Sequence, residues 1–87
     1  MSLQVSLVSP EAVVYEGEAE MVVCRTTDGE IAFLNNHAEF LGALAEGEST
    51  ITVRPLTGAD MKITTTGGFV EVKNNKVIIL SDAATIA

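Results

Sequence analysis

Only one histidine, His37, and one cysteine, Cys24, occur among the 87 residues, which limits the chemistry the chain can do alone. A lone thiol cannot close an internal disulfide, and one Cys with one His falls short of the ligand set of a zinc site. His37 shares the chain with serines and acids, but no nucleophile-elbow pattern places one of them beside it, so triad chemistry has no support. The pair Gly67-Gly68 lacks the lysine and hydroxyl of a phosphate-cradling loop and reads as a turn or bulge. Twelve acids make chance carboxylate pairs common, and a small sandwich offers little cleft for glycoside chemistry. The expectation is a chain with no catalytic residue, no cofactor and no metal, in which Cys24 is a small strand side chain.

Those twelve acids stand against five bases, a net charge of −7. Such a balance opposes binding to nucleic-acid phosphates and to anionic lipid headgroups, and suits a basic partner better. The acids are scattered: Glu11, Glu16, Glu18 and Glu20 precede and enter one expected strand, while Glu46 and Glu48 flank a turn. No apolar run approaches the roughly 18 residues that span a bilayer, so direct membrane insertion is not expected. The start, Met1-Ser2-Leu3-Gln4-Val5, lacks the basic and apolar regions of a secretory signal, which makes a cytoplasmic-side location the default. A chain of this length has room for one core and buries about 60–65% of its unfolded surface on folding.

The elements that must position these residues are strands. Apolar residues alternate at period two in Leu3/Val5/Leu7, Met21/Val23, Ile51/Val53, Val70/Val72 and Val77/Ile79, as half-buried strands require, and helical periodicity is absent. Turn signals fall between the runs at Asp28-Gly29, Asn35-Asn36, Glu46-Gly47, Thr57-Gly58, Gly67-Gly68 and Asn74-Asn75. The reading gives strands near 3–8, 12–16, 20–27, 30–34, 41–45, 49–54, 61–66, 69–73 and 76–81. Asn74-Asn75 is the clearest two-residue hairpin, because asparagine accepts the left-handed conformation of a type I′ turn. Pro10 and Pro55 lie at strand ends, where a missing N–H costs least. The fold class is all-β: an antiparallel flattened β-sandwich or barrel of about nine to ten short strands, in a single domain over 1–87.

Three blocks recur in order: Gly29-Glu30-Ile31-Ala32-Phe33-Leu34-Asn35-Asn36-His37-Ala38-Glu39-Phe40-Leu41, then Thr66-Gly67-Gly68-Phe69-Val70-Glu71-Val72, then Val77-Ile78-Ile79-Leu80-Ser81-Asp82-Ala83-Ala84. Together they resemble the epsilon subunits of rotary ATP synthases, whose β domain carries related blocks, and the resemblance covers the whole chain. It implies a non-catalytic rotor role: docking to the gamma subunit and resting on the polar loops of the membrane c-ring, which couples ion flow to ATP synthesis. The implied location is peripheral, at the cytoplasmic face of an energy-transducing membrane.

On that correspondence residues 29–41 match the ring-contact region. Glu30 is a candidate for a basic loop residue of the ring, and His37 belongs to the loop near it. Phe33, Phe40 and Leu41 either close the end of the sandwich or form an exposed contact patch. Phe69 alternates with Val70 and Val72, so if those two face the core it faces outward and is a candidate gamma contact. Two departures from the family pattern bear on the loop: Asn35-Asn36 replaces the usual Pro-Gly, and Glu39 replaces a frequent proline. The sequence also lacks the residues of the C-terminal helical hairpin of many members, so inhibition or ATP binding by that hairpin is not carried over. The alternative reading is a free-standing β-sandwich module that binds a small molecule or peptide on a sandwich face or barrel mouth, for which an apolar cavity with convergent polar groups would be the sign.

Overall fold

In the computed structural model, which describes residues 2–86, the chain forms nine strands and no helix. Met1 and Ala87, the ends of the domain expected over 1–87, lie outside the described residues. The strands are β1 (Leu3–Val8), β2 (Val13–Thr26), β3 (Gly29–Leu34), β4 (Phe40–Ala43), β5 (Glu48–Pro55), β6 (Met61–Thr66), β7 (Phe69–Lys73), β8 (Lys76–Leu80) and β9 (Ala83–Ile86). They pair in the order β4-β7-β8-β1-β2-β5-β6-β9, with β3 on β2. The sheet folds over on itself but does not close, which makes a sandwich with open edges. Pairing is antiparallel among the described residues except between β1 and β8, which run parallel. A parallel pair needs a long crossover, and the whole of β2 to β7 lies between these two strands.

The two strands expected near 12–16 and 20–27 are one strand of 14 residues, β2, which serves both layers. Its first part pairs with β1, from Leu3↔Ala19 to Val8↔Val13, and its second with β3 and β5. The change of layer occurs at a register shift between Ala19 and Met21, where β2 carries one residue more than its partner. Such a bulge reverses the in–out alternation and bends the strand. Ala19 is buried before it, and Val22, Cys24 and Thr26 are buried after it. Met21 and Val23, read from their alternation as the core-facing pair, are only half-buried and lie on the outer side. With Val22 and Val23 adjacent, periodicity alone could not place the bulge.

Elsewhere the alternation holds. Leu3, Val5 and Leu7 of β1, Ile51 and Val53 of β5, Val70 and Val72 of β7, and Val77 and Ile79 of β8 all reach the core, with Phe33 its largest fully buried side chain. Burying each such side chain contributes about 1.5–3 kcal/mol. Asn74 and Asn75 both take positive φ, 52° and 62°, as the expected hairpin turn requires. Bounds differ from expectation by one residue at β3 (29–34), β5 (48–55) and β8 (76–80); β4 covers 40–43 rather than 41–45, and β9 is an added strand. Ser81 makes the latter possible, since its hydroxyl donates to Ala83 O at 2.6 Å and its N–H to Val8 O at 2.9 Å, turning the chain from β8 toward β6.

Candidate functional surface

The register gathers unlike residues at the two ends of the sandwich. One end is made by the 26–29 turn, the 44–48 connection, Gly67-Gly68 and Ser81-Asp82. These segments are laced together by Thr27 N–H to Ala43 O (3.1 Å), Ala45 N–H to Arg25 O (2.9 Å), Leu44 N–H to Gly68 O (2.8 Å) and Asp82 N–H to Thr66 O (3.2 Å). Asp28, Glu30, Glu46, Glu48 and Asp82 all sit exposed on these turns or beside them, with Arg25 the strand partner of Glu30. The field at this end is strongly negative and would attract a basic surface.

The other end holds the 35–39 loop and the Asn74-Asn75 turn. His37 N–H donates to Leu34 O at 3.0 Å, and Asn36 takes φ 68°, closing a β-turn over 34–37. Asn36 N–H donates to Asn75 Oδ1 at 2.7 Å, joining two loops that are 39 residues apart in sequence. The His37 ring stands edge-on to Phe33, with centroids 4.9 Å apart, and its Nδ1 lies 2.7 Å from Ala38 O, where a protonated Nδ1 donates.

Between the ends runs the outer face of β4, β7, β8 and β1. Cross-strand pairing lines up Ala43, Phe69, Leu80, Val8 and Val13 in one row, and Leu41, Glu71, Ile78, Ser6 and Glu16 in the next. A third row, Lys73, Lys76, Gln4 and Glu18, leads toward the Asn36–Asn75 end. Phe69 is 59% exposed, Leu80 54%, Val13 59% and Leu41 73%, so this apolar strip has nothing covering it. A contiguous apolar patch of this kind is a candidate contact site. The outer face of β5, β6 and β9 contrasts with it: Thr50, Thr64 and Thr85 form one cross-strand row. Threonine satisfies the strand preference for β-branching while leaving a hydroxyl for water.

The structure sorts the six candidate residues. Phe69 faces outward, as the burial of Val70 and Val72 requires. Phe33 is fully buried, so it supports His37 and Phe40 from beneath and offers no surface to a partner. Phe40 is half-buried against the core, whereas Leu41 points out onto the strip. Glu30 and His37, taken from sequence as parts of one contact region, are brought to opposite ends of β3. Four residue steps of strand carry the chain from Glu30 to Leu34 alone, about 13 Å. Sequence reasoning did not single out Leu80, Ile78 or Val13, although the inward parity of Val77 and Ile79 put Ile78 and Leu80 on the outer face. The tether from Asn75 to Asn36 had no sequence signal.

Cys24 is buried with its thiol pushed up to about 12, first by burial and second by the negative charge of Glu30. It stays a neutral core side chain. Among the described residues no cluster of three metal-ligating side chains occurs, and no helix is long and apolar enough to cross a membrane.

The sequence profile of the family described as "ATP synthase, Delta/Epsilon chain, beta-sandwich domain" matches residues 2–87. The ATP synthase epsilon chain of Frankia casuarinae is 42% identical over 87 residues, which cover 99% of both chains. That of Lactiplantibacillus plantarum is 41% identical over 83 residues, 95% of this chain but 58% of the longer relative. Among solved structures, a chain in the Euglena gracilis mitochondrial ATP synthase (OSCP/F1/c-ring) aligns with a TM-score of 0.88 at 22% identity, covering 98% of this chain and 53% of that one. A chain of the Tetrahymena thermophila mitochondrial ATP synthase central stalk and c-ring aligns at 0.79 with 19% identity, covering 98% and 66%. At those identities the structural likeness is one of fold.

Proposed function

We propose a rotor role for this chain, which belongs to the ATP synthase delta/epsilon β-sandwich family. In this reading it is a non-catalytic central-stalk subunit that docks on the gamma subunit and meets the polar loops of the c-ring from the water side of the membrane. The observation that carries the reading is the unpartnered apolar strip of Phe69, Leu80, Val13 and Leu41 on the outer face of β4, β7, β8, β1 and β2. That strip is offered to gamma, with the 35–39 loop and His37 continuing the contact past Leu41. The acidic end, with Glu30, is offered to basic loops of the ring. Placing the two partners on different surfaces follows from the separation of Glu30 and His37 along β3.

An interface of standard size, about 1,600 Å² in total, takes a large share of so small a surface. Charge at the acidic end speeds encounter, while exposed pairs add only about 0–1 kcal/mol each. Raising salt is therefore expected to weaken association moderately. An apolar cavity with convergent polar groups would favour a ligand-binding module; the depressions along β7, β8 and β1 are open to solvent. The test is co-purification of the chain with the gamma subunit and c-ring of the same source. Retention of gamma by wild type and its loss on Phe69→Ala support the reading; failure of wild type to retain gamma contradicts it.

A further inference from the structure

The Asn75 side chain links two loops of unequal anchorage. Asn75 stands on a firm base: it occupies the β7–β8 hairpin turn at φ 62°, and its backbone carbonyl accepts from Gln4 N–H at 2.8 Å, which adds β1 to the anchorage. The 35–39 loop is less restrained. It contains no proline, and besides the turn closed by His37 N–H it is held by the Phe33 ring under His37 and by the Asn75 side chain. That side chain accepts from Asn36 N–H at 2.7 Å and brings its own Nδ2 to 3.5 Å from Asn36 Oδ1.

We propose that Asn75 is a positioning residue whose side-chain amide sets the shape in which the 35–39 loop is presented to the gamma subunit. The proposal rests on the rotor reading above and deepens it. A loop ordered before its partner arrives loses less freedom on docking, so the tether raises affinity without touching gamma itself. Because the hairpin turn needs positive φ and the tether needs an acceptor oxygen, the two roles of Asn75 are separable. Asn75→Gly keeps the turn and the backbone carbonyl but removes the acceptor, whereas Asn75→Asp keeps the turn and an acceptor oxygen and gives up only the long approach of Nδ2 to Asn36 Oδ1.

The test uses amide hydrogen exchange by NMR on the free 87-residue chain, followed by calorimetric titration with recombinant gamma subunit. Asn75→Gly is expected to speed exchange at Asn36 by about 3–10-fold, the effect of losing one ordinary hydrogen bond, with Lys73 and Lys76 protection unchanged. Asn75→Asp stays near wild type. Gamma affinity falls by a similar factor in Asn75→Gly and returns when Asn35→Pro and Asn36→Gly are added, which fix the same turn through the residues its positions favour. Unchanged Asn36 exchange in Asn75→Gly, or equal loosening in Asn75→Asp, overturns the tether. Faster exchange with unchanged gamma affinity overturns its role in docking. Absence of gamma binding by wild type overturns the rotor reading itself, and exchange in the free chain reports separately on the tether.

Discussion

The two ends of this sandwich solve the same problem, joining strands across open edges, with different side chains. The acidic end uses glycine-containing turns tied by backbone hydrogen bonds and by the buried hydroxyls of Thr26 and Ser81, which leaves Asp28, Glu30, Glu46, Glu48 and Asp82 exposed to solvent. The opposite end uses asparagines, and spends the Asn75 side chain on holding a second loop. One end is thus a charged surface with a rigid backbone, suited to meeting a basic partner by long-range attraction. The other is a shaped loop, suited to a short-range fit. The apolar strip runs between them and supplies the area that neither end has.

The largest expected effect is at the acidic end. Gly68 has φ 114°, and a Cβ there would stand 1.9 Å from Leu80 O. Gly68→Ala is expected to cost about 3–5 kcal/mol, since backbone strain and a collision with main chain add together. Thermal unfolding reads this as a drop of about 4–8 °C per kcal/mol for a domain of this size. A small drop would mean that the close approach of β7 to the β8–β9 corner is not fixed, and the distinction between a rigid and a shaped end would weaken.

Phe69→Ala comes next and separates docking from folding. Its ring is mostly exposed and faces Leu80 across the strands, so stability should fall by less than about 1 kcal/mol. Gamma affinity should fall by about 2 kcal/mol, as for an aromatic anchor. Equal losses in both would make the strip part of the fold rather than a contact.

Cys24 gives a pH signature near the acidic end. Its folded thiol stands at about 12 against an ordinary 9.0. Below pH 9 both states keep the proton, so the stability is fully present; above it the unfolded chain ionises first, and stability is lost as pH rises toward 12. Relative to Cys24→Ala, wild type should lose about 1.4 kcal/mol at pH 10, read by denaturant titration. The smallest effect is at Thr65, which is fully buried with its hydroxyl unpaired. Thr65→Val should raise stability by about 1 kcal/mol, because an unmade hydrogen bond is removed without changing shape.

Much of this architecture was legible in the residues. Alternation located the core strands, Asn74-Asn75 identified the hairpin, and the parity of Val70 and Val72 turned Phe69 outward. Two features were hidden for physical reasons. The bulge at Glu20 reverses parity just ahead of the adjacent Val22 and Val23, and hydropathy cannot tell which of those two faces inside. The division of residues 29–41 between two ends depends on β3 being extended: the sequence lists Glu30 and His37 seven positions apart, and a strand turns that into opposite ends of the molecule. The contact of Asn75 with Asn36 spans 39 residues and belongs to tertiary structure alone.

The most direct test of a docking face is calorimetric titration of gamma subunit with wild type, Phe69→Ala and Thr64→Ala, the last lying on the threonine face. A docking face on the apolar strip gives one-to-one binding of sub-micromolar strength for wild type and Thr64→Ala, with marked weakening for Phe69→Ala alone. No binding by wild type at tens of micromolar, or equal weakening by Thr64→Ala, would contradict it.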